Sequence, residues 1–263
     1  MKKVNLERMT WKEAEEAFRS KPVVLIPMGS VEEHGPQAPV GDYRYTEKMA
    51  TAMAEATNAV VVPTIPWGYS DTFRNYPGTL TVRPQTLTML LEDITDCLVR
   101  FGIEHIMMVC GHKGNLPILE QFGRAFRQKH GLRIATIEPL GWIGPEICQE
   151  VYGTRTPAIG HGSDPMQSLA MYLFPEDVRL DLMEEGTSAS WQGLSFKGTA
   201  ANVDGYVMHM YMTIEEVTEA VGGNGILGDP KLSSAERGEK LFNRLVEIGI
   251  NMINKFAEID PRC

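Results

Sequence analysis

No stretch of about 18 apolar residues occurs in the 263-residue chain, so a membrane-spanning helix is not expected. The positive start Met1-Lys2-Lys3 runs into Val4-Asn5-Leu6-Glu7 rather than an apolar leader core, and the chain therefore reads as cytoplasmic. Cysteine is scarce. Cys97, Cys110, Cys148 and Cys263 fall at irregular spacings with no C-x-x-C pair, which argues against a disulfide frame or a zinc knot and suits reduced thiols. Positive charge is in deficit, with 25 Lys and Arg against 34 Asp and Glu, and the resulting charge of −9 argues against nucleic acid or an anionic membrane as a partner. A small neutral or cationic substrate suits such a surface better. Internal repeats, low-complexity tracts and Gly/Ser/Pro linkers are also missing, so a single domain over 1–263 is expected.

What is present alternates between two periods. Thr10-Trp-Lys-Glu13 is a capping box that opens an amphipathic helix, and Lys21-Pro22 stops it before the apolar run VVLIPM at 23–28, a buried strand. Helical spacing follows from Tyr45 to Thr57, then a strand at Ala59 to Val62, a helix from Pro84 to Arg100 ended by Gly102, and a strand EHIMMVC at 104–110. A helix near 116–129, a strand RIATI at 133–137, a helix at 164–174 and a closing helix from Ser233, with an S-x-x-E capping box, complete the order. Strands alternating with helices predict an α/β fold, three layers with a mostly parallel sheet between helices. The segment 183–206, rich in small residues, reads as a long loop, either a lid or a solvated connection.

In an open parallel sheet, ligands bind beyond the carboxyl ends of the strands. Two strand ends here empty into loops, GSVEEHGPQAPVGDY and GHKGN, that carry Glu32, His34, Asp42 and His112. Two carboxylates and two imidazoles are ligands suited to Zn²⁺ or Mn²⁺, and the glycines and prolines between them would hold the ligands in place before an ion arrives. His161, in AIGHGSDP, lies on a glycine-flanked loop ahead of a helix that Ser163 or Asp164 would cap. His105, His130 and His209 read as structural, His130 being suited to a helix C-terminus.

Four blocks, GSVEEHGPQAPVGD, GYSDTFRNYPGTLTV, GHKGN, and HGSDPMQSLAMYLFPEDVRLD followed by GILGDPKLSSAERGEKL, together resemble the creatininase (creatinine amidohydrolase) family. The resemblance runs from about residue 23 to 242. It implies an α/β/α fold, a homohexamer, and a hydrolase with one or two divalent ions, Zn or Mn, whose bound hydroxide attacks a carbonyl of a small substrate. By the same resemblance Glu32, His34 and His112 are metal ligands, Asp42 is the aspartate bridging two ions, His161 is the catalytic proton donor, and Ser70 contacts substrate.

The departures bear on the substrate. Gly114 stands where creatininase proper has a glutamate, Met166 where many relatives have one, Lys113 where an aromatic residue follows the loop histidine, and Phe73 where a histidine often precedes PGT. Asp164 would have to supply the missing ligand oxygen, and Lys113 would bind a substrate oxygen. The expected substrate is then a cyclic amide other than creatinine. The alternatives are a diketo-inositol opened at a carbon–carbon bond (the 3-dehydro-scyllo-inosose type) and a non-catalytic metal-binding relative.

Overall fold

The computed structural model describes residues 3–197 and 200–262. Cys263, the Met1-Lys2 start and Gly198-Thr199 of the 183–206 segment lie outside them. The chain opens with helix α1 (Trp11–Arg19), capped by the Thr10–Glu13 box, and enters strand β1 (Val23–Met28). Every residue of β1 is buried, because helices cover both of its faces. Helix α2 (Tyr43–Glu55), strand β2 (Ala59–Val61), helix α3 (Pro84–Arg100), strand β3 (His105–Cys110), helix α4 (Leu116–His130) and strand β4 (Ile134–Ile137) follow. The four strands form one wholly parallel sheet in the order β2-β1-β3-β4, with Val23 to Met28 in register with His105 to Cys110.

Alternation along β1 and β3 divides the core into two layers. Val23, Leu25, Met107 and Val109 pack beneath α2 and two later helices, α6 (Met166–Leu173) and α8 (Ala235–Glu258); α5 (Pro145–Tyr152) lies beside them. Val24, Ile26, Met28, Ile106 and Met108 face α3 and α4 on the opposite side. The three-layer expectation is met. No helix among the described residues is long and apolar enough to cross a membrane.

Four readings shift. The segment 183–206 is not simply a loop: β5 (Ser190–Trp191), β6 (Leu194–Lys197), β7 (Ala200–Val203) and β8 (Tyr206–His209) make a small antiparallel sheet in sequential order. Its strands are two to four residues long and rich in Ser, Ala and Asn, too short and too polar to show an alternating signal. Helix α5 and helix α7 (Ile214–Ala220), the latter opened by a Thr213–Glu216 capping box, were not foreseen. The closing helix is capped by Ser234, which accepts from Arg237 N–H, one residue beyond the expected Ser233. Ser233 instead donates its hydroxyl to Asp164.

Candidate metal centre

The carboxyl ends of β1 and β3 lie side by side, Met28 paired with Cys110, so the loops that leave them meet. Glu32, His34, Asp42 and His112 are all buried there, none more than 6% exposed. Asp42 takes up its position at the start of α2, accepting from Ser30 N–H at 2.5 Å through Oδ1 and from His112 Nδ1 at 2.7 Å through Oδ2. Glu32 Oε2 lies 3.6 Å from the same Nδ1. The far nitrogen of His112, Nε2, meets the main-chain oxygen of Tyr69 at 2.9 Å and the Ser70 hydroxyl at 3.2 Å. Ser70 is therefore packed behind His112, its Oγ 2.5 Å from that of Ser30.

The electrostatics follow from burial among charges. Burial raises the Glu32 carboxyl, with the positive charge on His112 pulling the other way. For His112 burial alone would lower the pKa, but the charges of Asp42 and Glu32 outweigh it and hold the ring at about 9. His34 is the opposite case. Burial, with His161 beside it, presses its pKa down to about 4. Its Nδ1 lies 3.0 Å from the main-chain oxygen of Glu32, an acceptor, so Nδ1 carries the proton and Nε2 keeps a lone pair.

Among the described residues, two groups of side chains bring ligand atoms within 4.8 Å of one another, Glu32 with Asp42 and His112, and Glu32 with His34 and His161. Glu32, rather than Asp42, is common to both. The donor set fits a divalent ion on chemical grounds. Glu32 and Asp42 are buried carboxylates with no Lys or Arg ion pair among the described residues, and a dication is the usual compensation for such charge. His112 Nδ1 faces both carboxylates while Nε2–H is tied to a backbone carbonyl, the arrangement that orients a ligating imidazole.

Asp164 is not part of either group. It is fully buried, and its carboxylate accepts from Ser168 N–H at 3.0 Å, from the Ser168 hydroxyl at 2.7 Å and from the Ser233 hydroxyl at 2.6 Å, joining α6 to the start of α8. Asp164→Ala is accordingly expected to destabilise the fold by about 3 kcal/mol, since three donors lose their acceptor, and to leave bound metal unchanged. Denaturant unfolding alongside elemental analysis checks both halves. Lys113 also stands apart: its side chain is 72% exposed and its Nζ lies 4.0 Å from Glu138 Oε1. Gly114, between it and Asn115, has no room for a side chain, because a Cβ there would lie 2.2 Å from Tyr69 O and 2.6 Å from His112 Nε2.

His161 reaches the centre from the loop before α6. Its Nε2 meets the main-chain oxygen of Glu33 at 2.8 Å and Oε1 of the same residue at 3.0 Å. Burial would lower its pKa, but the Glu33 hydrogen bond and the charges of Glu32 and Glu33 raise it. Glu33 was not singled out from sequence as a site residue; as the second of two adjacent glutamates it carries no signal of its own, and its partner is 128 positions away. Cys110, whose thiol burial pushes up to about 12, donates to His112 O at 3.0 Å and is no nucleophile. Of the other histidines, His105 Nε2 lies 2.8 Å from Ile259 O, His130 Nε2 lies 2.8 Å from Asp96 Oδ1, and His209 is on the exposed strand β8.

A family model described as creatininase, creatinine amidohydrolase, matches residues 7–253. The chain is 26% identical over 232 residues to the mycofactocin precursor peptide peptidase of Mycolicibacterium smegmatis, covering 86% of this chain and 81% of that one. It is 28% identical over 209 residues to the creatinine amidohydrolase of Pseudomonas putida, with 72% and 79% covered. It is also 28% identical over 278 aligned positions to the 3-dehydro-scyllo-inosose hydrolase of Thermotoga maritima, with 98% and 85% covered. A solved creatinine amidohydrolase superposes with a TM-score of 0.81 at 23% identity, covering 98% of this chain and all of that one. Solved creatininases include a Zn–Zn form and an Mn form.

Proposed function

The chain belongs to the creatininase family of hydrolases, and from that premise we propose that it is a divalent-metal-dependent hydrolase acting at the carbonyl of a small cyclic amide other than creatinine. The observation that carries this reading is the buried set of Glu32, Asp42 and His112, two carboxylates and an imidazole without a Lys or Arg ion pair among the described residues. When bound, a divalent ion, Zn or Mn, acts there as a Lewis acid on a carbonyl and brings the pKa of water toward neutrality. Glu32, Asp42 and His112 Nδ1 would hold one ion, and His34 Nε2, with Glu32 or Asp42 as the shared carboxylate, a second.

The remaining groups orient and move protons. His161, with Nε2–H committed to Glu33, gives its proton to the departing atom from Nδ1. Ser70, its hydroxyl bonded to Ser30 and within reach of His112 Nε2, steadies the His112 ring. Lys113, exposed on the turn that follows His112, would meet an oxygen-rich end of the substrate. Lys113→Gly is expected to raise KM for such a substrate severalfold while changing stability by less than about 0.5 kcal/mol, as an exposed lysine 4.0 Å from the Glu138 carboxylate should. Steady-state kinetics and denaturant unfolding of the variant check it.

Creatinine is set aside because the carboxylate it would find two residues after the loop histidine in creatininase proper is Gly114 here, pressed against Tyr69 O. The second reading, ring opening of a keto-inositol at a carbon–carbon bond, is favoured by the similarity to 3-dehydro-scyllo-inosose hydrolase, which covers 98% of the chain. A non-catalytic metal-binding relative would keep the same ligand set and differ only in turning over none of the substrates offered to it.

Protein loaded with Zn²⁺ or Mn²⁺ and offered cyclic amides, formamides, short peptides, keto-inositols and creatinine decides among these by product mass. Addition of water to a cyclic amide is expected, with negligible creatinine turnover. Cleavage of the keto-inositol alone would move the assignment to the second reading, and metal-free, inert protein would sink both. A homohexamer in one domain is part of the same proposal, to be read by light scattering.

A further inference from the structure

His161 is held by more than one kind of contact. Both groups within reach of its Nε2, the main-chain oxygen and Oε1 of Glu33, are acceptors, so the proton resides on Nε2 and the neutral ring keeps its lone pair on Nδ1. Phe73 stacks on the ring at 4.0 Å between centroids and 8° from parallel, and His34 stacks on it at 4.8 Å and 20°. Rotation out of the plane is thereby blocked, and the edge contact with Glu33 decides which nitrogen is free.

The Glu33 carboxylate is fixed in turn. Its Oε2 accepts from Gly35 N–H at 2.7 Å, and its main-chain N–H donates to Thr79 Oγ1 at 3.1 Å. Gly225, at φ +74°, approaches so closely that a Cβ there would lie 2.4 Å from Oε2 and 2.5 Å from Oε1. The residue is 5% exposed, and its one ion-pair partner among the described residues is His161. A carboxylate accepts from two donors at once. Here the two donors meet different oxygens, so an amide in the same place satisfies either Gly35 N–H or His161 Nε2–H and turns its own NH₂ toward the other.

We propose that Glu33 is a positioning residue that fixes His161 in the Nε2–H tautomer and so makes Nδ1 its working nitrogen. What Nδ1 then does rests on the hydrolase reading; the tautomer does not. Protein labelled with ¹⁵N-histidine and loaded with Zn²⁺ is compared with Glu33→Gln by two-bond ¹H–¹⁵N correlation, the His161 signals being identified by their loss in His161→Gln. At a pH above the titration of the ring, where it is neutral, wild type is expected to show one tautomer, Nε2–H. Glu33→Gln, which keeps the main-chain acceptor for Nε2–H but can turn its NH₂ against it, is expected to show a mixture of tautomers, with turnover of the panel substrate down by roughly 10- to 100-fold. KM should change far less than kcat. If Glu33→Gln does not fold, Glu33→Asp, which keeps the charge but withdraws it from the ring, serves in its place with the same expectation. An Nδ1–H tautomer in wild type, or an unchanged tautomer and kcat in the substituted protein, overturns the proposal. Inert wild type that still shows Nε2–H would count against the hydrolase reading and leave the contact with Glu33 standing.

Discussion

Asp42→Ala is expected to bind zinc far less completely than His34→Ala, with less than about a tenth of the wild-type occupancy remaining at the Glu32, Asp42 and His112 position. The reason is charge as much as ligand count. Asp42 is one of two buried carboxylates around His112 Nδ1, and removing it leaves Glu32 as the only anion for an ion in a nearly dry pocket, where an uncompensated charge costs several kcal/mol. It also takes away the acceptor that orients the ring of His112 and the acceptor for Ser30 N–H. His34 is different in kind. It is neutral, lies in the other group of ligand atoms, and its loss leaves the Glu32, Asp42 and His112 set whole. Glu32→Ala, which belongs to both groups, should match or exceed the loss in Asp42→Ala. Elemental analysis of the three variants, purified side by side, reads the outcome; equal occupancy in Asp42→Ala and His34→Ala would refute the assignment. The family resemblance gives the bridging role to Asp42 and the geometry gives Glu32 the shared position, and the zinc left in Asp42→Ala distinguishes them.

The large features of this centre were legible because each depends on a strong local pattern. β1 and β3 are short apolar runs bounded by turn residues, which read as buried strands, and a strand that ends in a glycine loop puts the next polar residues at the carboxyl edge of the sheet. Glu32, His34, Asp42 and His112 therefore converge as their positions in the loops imply. What did not show in the sequence depends on contacts between distant segments. Asp164 reads as a cap or a ligand until Ser233, 69 residues later, is seen to donate to it. Lys113 sits next to a loop histidine, yet a 3-10 turn over Lys113–Asn115 sends its side chain out to solvent. The short strands β5 to β8 are held by ladder hydrogen bonds and carry no period long enough to detect. Glu33 gains its meaning only from His161.

His161→Ala is expected to lower turnover by roughly 10² to 10⁴ while the protein keeps its fold and the zinc held by Glu32, Asp42 and His112, that range being the usual worth of a positioned general acid or base. Each factor of ten is about 1.4 kcal/mol of transition-state stabilisation, so the upper end would be a substantial part of the catalysis. The ring is well placed to act this way: Glu33 takes Nε2–H, and the stacked Phe73 and His34 keep Nδ1 in one orientation. Its pKa, raised against the effect of burial by the neighbouring carboxylates, favours the protonated form that a leaving atom needs. Fold retention is expected because the ring sits on a loop whose course is set by other bonds, Leu227 N–H to His161 O at 2.7 Å and the Gln37 amide to Gly162 O at 2.6 Å, neither of which uses the imidazole. The competing role is that of a ligand, since His161 shares a group of ligand atoms with Glu32 and His34. Zinc stoichiometry separates the two. A proton donor leaves occupancy at the wild-type value while kcat falls, whereas a ligand takes one ion with it, and loss of zinc in proportion to the loss of activity would remove His161 from the general-acid role.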